Sequence, residues 1–270
     1  MPSSRNTLRR TALGQSRLGQ NFLIDRNIAR RIVAAAAIEP GDEVLEIGPG
    51  RGALTRLLVE RASKVVAVEL DEALAADLQV RMGDGYALTV VQQDALEFDP
   101  AVYFDGPFKL VANLPYYVAT PLVRRYLAPH RTPSEMVVMM QREVANNMTA
   151  SPGKMGLLSV MVQLHASAKT LFSVPPKAFR PRPKVASAVV KLKPYPEPAI
   201  PVGDTDMVSL ALIALLPLAS VLLENRCTTA SGEGLLQFSD LVTSACSLWL
   251  VSNGNIEGSR RPATLSIDEW

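Results

Sequence analysis

The sequence predicts an α/β fold in which a parallel sheet carries helices on both faces. Short apolar strand patterns alternate with helical patterns through most of the chain, which is typical of βαβ units. A glycine-rich turn, Gly48-Pro49-Gly50-Arg51-Gly52, follows the first of the main strands. Polar residues also recur where the strands end, and this is the edge at which such sheets bind ligands.

The predicted elements follow one another in a regular order. A helix is expected over residues 23–38, because apolar residues have helical spacing there, Asp25 is suited to cap it, and Pro40 with Gly41 ends it. Further helices are expected over residues 53–61 and from the second strand to about Met82. The strand patterns are runs rich in Val, Leu, Ile, Ala and Met, at residues 43–47, 64–70, 87–92, 108–112, 136–140 and 186–192.

Four polar or glycine positions mark the ends of successive strands. Gly48 follows the first, Glu69 ends the second, Asp94 follows the third and Asn113 follows the fourth. The carboxyl ends of parallel strands lie at one edge of a sheet, so we expect these residues to form one site.

Composition narrows the class of protein. A chain of 270 residues is long enough for one large α/β core and a small second domain. The net charge is only +2, but residues 1–18 and 177–193 contain no acidic residue and several cations, namely Arg5, Arg9, Arg10, Arg17, Lys177, Arg180, Arg182, Lys184, Lys191 and Lys193. These clusters suit a phosphate backbone, although charge alone also fits two solvated faces.

Cysteine and histidine usage argues against several chemistries. The two cysteines, Cys227 and Cys246, and the two histidines, His130 and His165, have no metal-ligand spacing, so we expect no metal site and no histidine-dependent triad. The N-terminus lacks the apolar run of a signal peptide, which predicts a cytoplasmic protein. The apolar segment 207–223 is short for a membrane span and contains a proline, so no membrane partner is expected.

The glycine turn alone leaves its ligand open. It lets the backbone approach a ligand closely and begins a helix. The spacing to Glu69, whose carboxylate could accept from ribose hydroxyls, fits a nicotinamide dehydrogenase and an S-adenosylmethionine enzyme equally well. A tight turn without any ligand is the third possibility.

Asp94 and the run Asn113-Leu114-Pro115-Tyr116 favour S-adenosylmethionine. Asp94 could accept from an adenine amino group, or cap a short helix. An amide, a rigid carbonyl and an aromatic face suit the edge of an amino-substituted base. If the Asn113 side-chain oxygen and the Leu114 carbonyl accept the two amino protons, the nitrogen lone pair can face a methyl donor. Pro115 would fix the backbone and Tyr116 would stack on the base.

The base must leave its stack to reach such a pocket. Phe179, at the head of a proline-rich loop, is the candidate for the opposite aromatic wall, or else anchors that loop. Arg180 and Arg182 would then hold phosphates, and Tyr117 is expected in the core.

Four motifs in order resemble the ribosomal RNA adenine N6-dimethyltransferases of the KsgA type, which act on small-subunit RNA. They are Gly19-Gln20-Asn21-Phe22-Leu23, the turn at 46–52, the run at 113–116, and Phe179-Arg180-Pro181-Arg182-Pro183-Lys184-Val185-Ala186-Ser187. The resemblance covers about residues 18–192 and returns at 260–270.

The resemblance implies a class I (Rossmann-like) methyltransferase sheet over residues 18–195, after a basic arm at 1–17 and before a small, mainly helical C-terminal domain at 196–270. It implies that S-adenosylmethionine is held by Asn21, Leu23, Gly48, Glu69, Asp94 and Asn113. The substrate would be two adjacent adenines near the 3′ end of small-subunit (16S) ribosomal RNA in a pre-30S particle, and the protein a monomer. A non-catalytic ribosome-assembly or transcription factor of the same fold is the alternative.

The resemblance fails over about residues 207–255. The family has a basic helix there, whereas this chain is uncharged from residue 207 to 223 and then rich in Ser, Thr and Gly. Another reading frame over 218–232 permits Gly-Phe-Arg-x-x-Arg-Lys-Ser-Leu-Tyr-Asn-Gly-Leu-Gly, so we hypothesise a compensated frameshift in the gene or its sequencing. The nucleotide sequence tests this, because a paired insertion and deletion must restore the family pattern.

Overall fold

The fold was examined in a computed structural model, which describes residues 20–116, 118–128, 132–151 and 154–197. The predicted basic arm, Tyr117, His130, both cysteines and residues 198–270 of the proposed C-terminal domain lie outside these ranges. Within them the chain forms a seven-stranded sheet and a separate two-stranded ladder.

The large sheet is parallel at its centre and mixed at one side. Its order is β4-β3-β2-β5-β6-β9-β7, where β2 to β6 run parallel and β9 runs antiparallel to both of its neighbours. The strands are β2 (Glu43–Ile47), β3 (Lys64–Glu69), β4 (Leu88–Gln92), β5 (Phe108–Asn113), β6 (Glu135–Gln141), β7 (Ala166–Val174) and β9 (Ser187–Pro194). The small ladder pairs β1 (Phe22–Leu23) with β8 (Phe179–Arg180).

The parallel βαβ units that the sequence predicts are present from β2 to β6, whereas the late strand β9 runs antiparallel. A parallel return requires a long crossover, usually a helix. Residues 175–186 connect β7 to β9 with one three-residue 3₁₀ turn and the two residues of β8, so the chain doubles back antiparallel. Strand β7 was not predicted, and its half-exposed pattern is that of a sheet edge.

Six helices occur in the described ranges: α1 (Arg26–Ala35), α2 (Thr55–Leu58), α3 (Glu72–Met82), α4 (Ala119–Leu127), α5 (Arg142–Met148) and α6 (Leu157–His165). The predicted cap is confirmed, because the Asp25 carboxylate accepts hydrogen bonds from the Asn27 and Ile28 amides at 2.9 and 3.2 Å. Helix α1 begins later than expected because Phe22 and Leu23 pair with β8 instead. Helix α2 is shorter than residues 53–61, since turns flank it.

Two apolar clusters cover opposite faces of the large sheet. Successive strand side chains point to opposite faces, so Leu45 and Val66 pack with α4, α5 and α6, whereas Val44 and Val65 pack with α1 and α2. This arrangement confirms helices on both faces and leaves the carboxyl edge of the central strands as a rigid rim. No helix in the described ranges is long and apolar enough to cross a membrane.

Candidate active site

A cavity of about 390 Å³ lies at the carboxyl edge of β2, β3 and β5. Its volume is within the range of roughly 300–1,000 Å³ that is usual for small-molecule sites. It brings together every predicted cofactor contact, namely Asn21, Leu23, Gly48, Glu69, Asp94 and Asn113. Leu114, Pro115, Tyr116 and Phe179 also line it.

The glycine turn forms one wall of the cavity. Gly48 and Gly50 have φ angles of 66° and 53°, a region that side chains disfavour. The Gly48 amide donates to the Val68 carbonyl at 2.9 Å, which ties the turn to β3. A Cβ on Gly50 would lie 3.1 Å from the Phe22 ring, so β1 packs directly on the turn. The Arg51 guanidinium stands 4.6 Å from the centre of the same ring.

Glu69 fastens the turn from the end of β3. Its carboxylate is buried and accepts from the Gly50 amide at 3.0 Å and from the Asp71 amide at 3.1 Å. Burial raises the pKa of Glu69, and the hydrogen bonds from backbone amides only partly oppose this. A carboxylate has about four acceptor positions, so these two bonds leave capacity for ribose hydroxyls. The structural bonds were not anticipated from sequence.

Glu46, on the neighbouring strand β2, is a second buried carboxyl in the cavity wall. It is 1% exposed, and burial together with the nearby Glu69 charge raises its pKa to about 8. Among the described residues its Oε2 has no hydrogen-bond partner. Sequence reasoning placed Glu46 in the turn motif without giving it a role. The available signal was an acidic residue inside an otherwise apolar strand pattern.

Asp94 caps a turn rather than the short helix that the sequence suggested, and it also lies in the cavity wall. Its Oδ1 accepts from the Leu96 amide at 2.8 Å, and its carbonyl accepts from the Phe98 amide at 2.9 Å, so it stabilises the turn after β4. It also lines the cavity. The turn bond engages one of two carboxylate oxygens, so capping and ligand contact are compatible.

The run 113–116 is held by the centre of the sheet. Asn113 is the last residue of β5 and pairs with Met139. The Leu114 amide continues this pairing by donating to the Met139 carbonyl at 3.0 Å, while its side chain is buried in the core. The Tyr116 hydroxyl lies 2.9 Å from Ser187 Oγ. The backbone and the ring tip are therefore both fixed.

Phe179 is at once a cavity wall and a core residue. It is 4% exposed, packs in the α1-side cluster and pairs through its backbone with Leu23. Arg180 and Arg182 are exposed and lie outside the cavity lining. No group of three or more His, Cys, Asp or Glu within the described ranges could hold a metal ion.

Comparison with solved structures defines the class of protein. A dimethyladenosine transferase from Plasmodium falciparum superposes with a TM-score of 0.68 at 24% identity, covering 92% of this chain and 94% of that one. The 23S rRNA methyltransferase ErmE superposes with a TM-score of 0.65 at 28% identity, over 93% and 96% of the two chains. The fold is that of the Rossmann-like methyltransferases.

The family follows from the sequence comparisons. The sequence model described as ribosomal RNA adenine dimethylase matches residues 12–233. Ribosomal RNA small subunit methyltransferase A of Alkaliphilus metalliredigens is 42% identical over 260 residues, which cover 94% of this chain and 88% of the relative. The chain belongs to the ribosomal RNA adenine dimethylase family.

Proposed function

We propose that this protein transfers methyl groups from S-adenosylmethionine to the N6 atoms of two adjacent adenines near the 3′ end of small-subunit ribosomal RNA, twice on each. The observation that carries the proposal is the meeting of Asn113, Leu114 and Tyr116 with the glycine turn and Glu69 in one cavity. The small-subunit assignment is supported by the relative that matches 94% of the chain. The protein would act in the cytoplasm as a monomer on a pre-30S particle.

The residues in the cavity fit S-adenosylmethionine. The turn at Gly48 and Gly50 allows close approach of the backbone, and Glu69 has acceptor capacity for ribose hydroxyls. Asp94 would accept from the adenine amino group, and Asn21 with Leu23 would close the site from β1. A positively charged ligand would also favour the ionised forms of the two buried carboxyl groups, Glu46 and Glu69.

The protein's own contribution to the chemistry is alignment and the withdrawal of protons from the amine. When bound, S-adenosylmethionine supplies a methyl group that is already electrophilic. The Asn113 side-chain oxygen and the Leu114 carbonyl would accept the two N6 protons, so that the nitrogen lone pair faces the methyl group. The bond from the Leu114 amide to the Met139 carbonyl supports this role, because it holds the backbone of Leu114 at the edge of the sheet.

The target adenine would be flipped out of the RNA and held between two aromatic rings. Tyr116 and Phe179 both line the cavity and would stack on the two faces of the base. The loop around Phe179 carries exposed cations that would hold the RNA backbone, namely Lys177, Arg180, Arg182 and Lys184.

The test is mass analysis of small-subunit RNA after incubation of pre-30S particles with enzyme and cofactor. The wild type should produce dimethyladenine at two adjacent positions. Asn113→Ala should slow transfer roughly 100- to 1,000-fold, by analogy with the loss of one preorganised polar group from an active site. Asn146→Ala, at an exposed position of α5, is the matched control and should leave transfer unchanged.

The alternative function is separated by the same measurement. A wild-type protein that binds the cofactor and the particle but transfers no methyl group would be a non-catalytic assembly factor. A protein that binds NADH rather than S-adenosylmethionine in parallel titrations would contradict both proposals.

A further inference from the structure

The antiparallel direction of β9 brings an additional residue to the active-site edge. Parallel strands present their last residues at this edge, whereas an antiparallel strand presents its first residue there. The first residue of β9 is Ser187, which pairs with Gln141 at the end of β6 and with Val174 at the end of β7. Sequence reasoning included Ser187 in a motif but gave it no function.

Ser187 is a rigid anchor. Its side chain is fully buried, and strands on both sides hold its backbone. The preceding residue is also fixed, because the Arg142 amide donates to the Ala186 carbonyl at 3.0 Å. Ser187 Oγ lies 2.9 Å from the Tyr116 hydroxyl, and either group can donate. The hydroxyl of the half-buried Tyr116 ring is thus bound to a residue whose backbone is held by the sheet.

We propose that Ser187 is a positioning residue for methyl transfer, because its hydroxyl fixes the ring of Tyr116 at the angle needed to stack the target adenine beside Asn113. The proposal rests on the proposed function, in which Tyr116 contacts the base. Ser187 itself does not touch the substrate. Without this bond the ring could tilt, and transfer between aligned groups is sensitive to displacements of about 1 Å.

The same bond connects the two aromatic walls. Ser187 directly follows the loop that begins with Phe179, the other wall of the base site. The backbone of Phe179 is fixed at one end of this loop by Leu23, and the bond from Ser187 to Tyr116 fixes the other end relative to the run at 113–116. Each wall is therefore held by a contact to a residue that is distant in sequence.

A double-mutant cycle tests the proposal. Ser187→Ala and Tyr116→Phe should each lower kcat/KM for pre-30S particles roughly two- to tenfold, the range expected for one hydroxyl hydrogen bond. The double variant should be no slower than the slower single variant, because both changes remove the same bond. The Kd for S-adenosylmethionine should stay within twofold of the wild-type value in all three. Ser187→Thr retains the hydroxyl and should restore most of the activity.

Ser159→Ala is the matched control for a general loss of stability. Ser159 is also buried, and its Oγ accepts from the Gly156 amide at 2.9 Å, outside the cavity lining. This variant should unfold at lower urea concentration but keep the wild-type kcat/KM. Ser187→Cys is measured alongside, in case the alanine variant does not fold. Cysteine keeps the approximate size of the side chain but forms a weaker hydrogen bond with Tyr116.

Two results would overturn the positioning role: additive effects in the cycle, or a Ser159→Ala variant that loses as much kcat/KM as Ser187→Ala. Neither result contradicts the proposed function, provided that the wild-type protein methylates the RNA. A wild type without any transfer would instead overturn the proposed function, and the role of Ser187 with it.

Discussion

The two halves of the cavity are built in different ways. The donor half, comprising Glu46, Gly48, Gly50, Glu69 and Asp94, comes from the ends of three neighbouring parallel strands, and its bonds join the turn to β3. The acceptor half, comprising Asn113, Leu114, Tyr116 and Phe179, is assembled across greater separations. Ser187 lies behind this wall and supports it through its bond to Tyr116, which spans 71 residues.

The halves also differ in charge. The donor half holds two buried carboxyl groups, Glu46 and Glu69, whose pKa values are raised by burial. The acceptor half offers amide, carbonyl, hydroxyl and aromatic groups. We therefore expect the donor half to respond to pH and to charge, and the acceptor half to changes in geometry. Substitutions that separate these responses test the comparison.

Replacing Glu46 with glutamine should have the largest effect, on the pH dependence of stability. The folded state holds the Glu46 proton up to about pH 8, whereas the unfolded chain releases it near 4.5, so the wild type loses stability as pH rises between these values. Glutamine does not titrate. The free energy of unfolding of Glu46→Gln relative to the wild type should therefore rise with pH, by at most about 1.4 kcal/mol per pH unit.

Urea unfolding between pH 5 and pH 8 measures this slope. Glu60→Gln, at an exposed position, makes the same substitution outside the cavity wall and serves as the control. If the free energy of unfolding depends on pH in the same way for Glu46→Gln and the wild type, Glu46 is already ionised at pH 5. The two halves would then not differ in electrostatics as proposed.

Replacing Glu69 with glutamine should weaken cofactor binding and leave the acceptor half intact. The change removes the carboxylate that accepts from the Gly50 and Asp71 amides and turns an amide donor toward one of them. We expect the Kd for S-adenosylmethionine to rise roughly 10- to 100-fold, the loss of about one charged hydrogen bond. The rate at saturating cofactor should change little. If Glu69→Gln binds S-adenosylmethionine normally but transfers methyl groups slowly at saturating cofactor, Glu69 acts on the methyl-transfer step as the acceptor half does.

The donor half was also the more predictable from sequence. Strands β2 and β3 were predicted to within one residue, because a buried parallel strand reads as a largely apolar run. The glycine turn and the position of Glu69 follow directly from those strands, and the position of Asp94 follows from β4. Local sequence thus determines nearly all of this wall.

The acceptor half depends on contacts that local patterns do not encode. The apolar run of β9 does not indicate whether the strand runs parallel or antiparallel to its neighbours. Its antiparallel direction, which places Ser187 at the active-site edge, was therefore not predicted. The ladder of β1 with β8 has two residues in each strand, too few to show a periodicity. The internal bonds of Glu69 were missed for a related reason, since they depend on how the turn folds back onto β3.

Alanine at Gly50 should destabilise the donor half through a defined contact. A φ of 53° disfavours a side chain by roughly 1–2 kcal/mol, and the new methyl would lie 3.1 Å from Phe22. We expect a lower free energy of unfolding and weaker cofactor binding. Gly83→Ala is the control, because Gly83 also has a positive φ but nothing lies within 4 Å of its added Cβ. Gly83→Ala should lower the free energy of unfolding and leave the Kd for the cofactor unchanged. Equal changes of Kd in both variants would show that the contact with Phe22 does not cause the weaker cofactor binding.

Leucine at Phe179 should have the smallest effect and should act on RNA alone. Leucine keeps an apolar side chain in the core but removes the aromatic face, at a cost of about 1 kcal/mol or roughly fivefold in KM for the particle. The salt dependence of RNA binding should not change, since the exposed cations remain, whereas Arg182→Ala should reduce its slope by about one. Phe179 also pairs through its backbone with Leu23, a donor-side contact. If Phe179→Leu raises the Kd for the cofactor as much as the KM for the particle, the β1–β8 ladder couples the two halves. The halves would then not act separately.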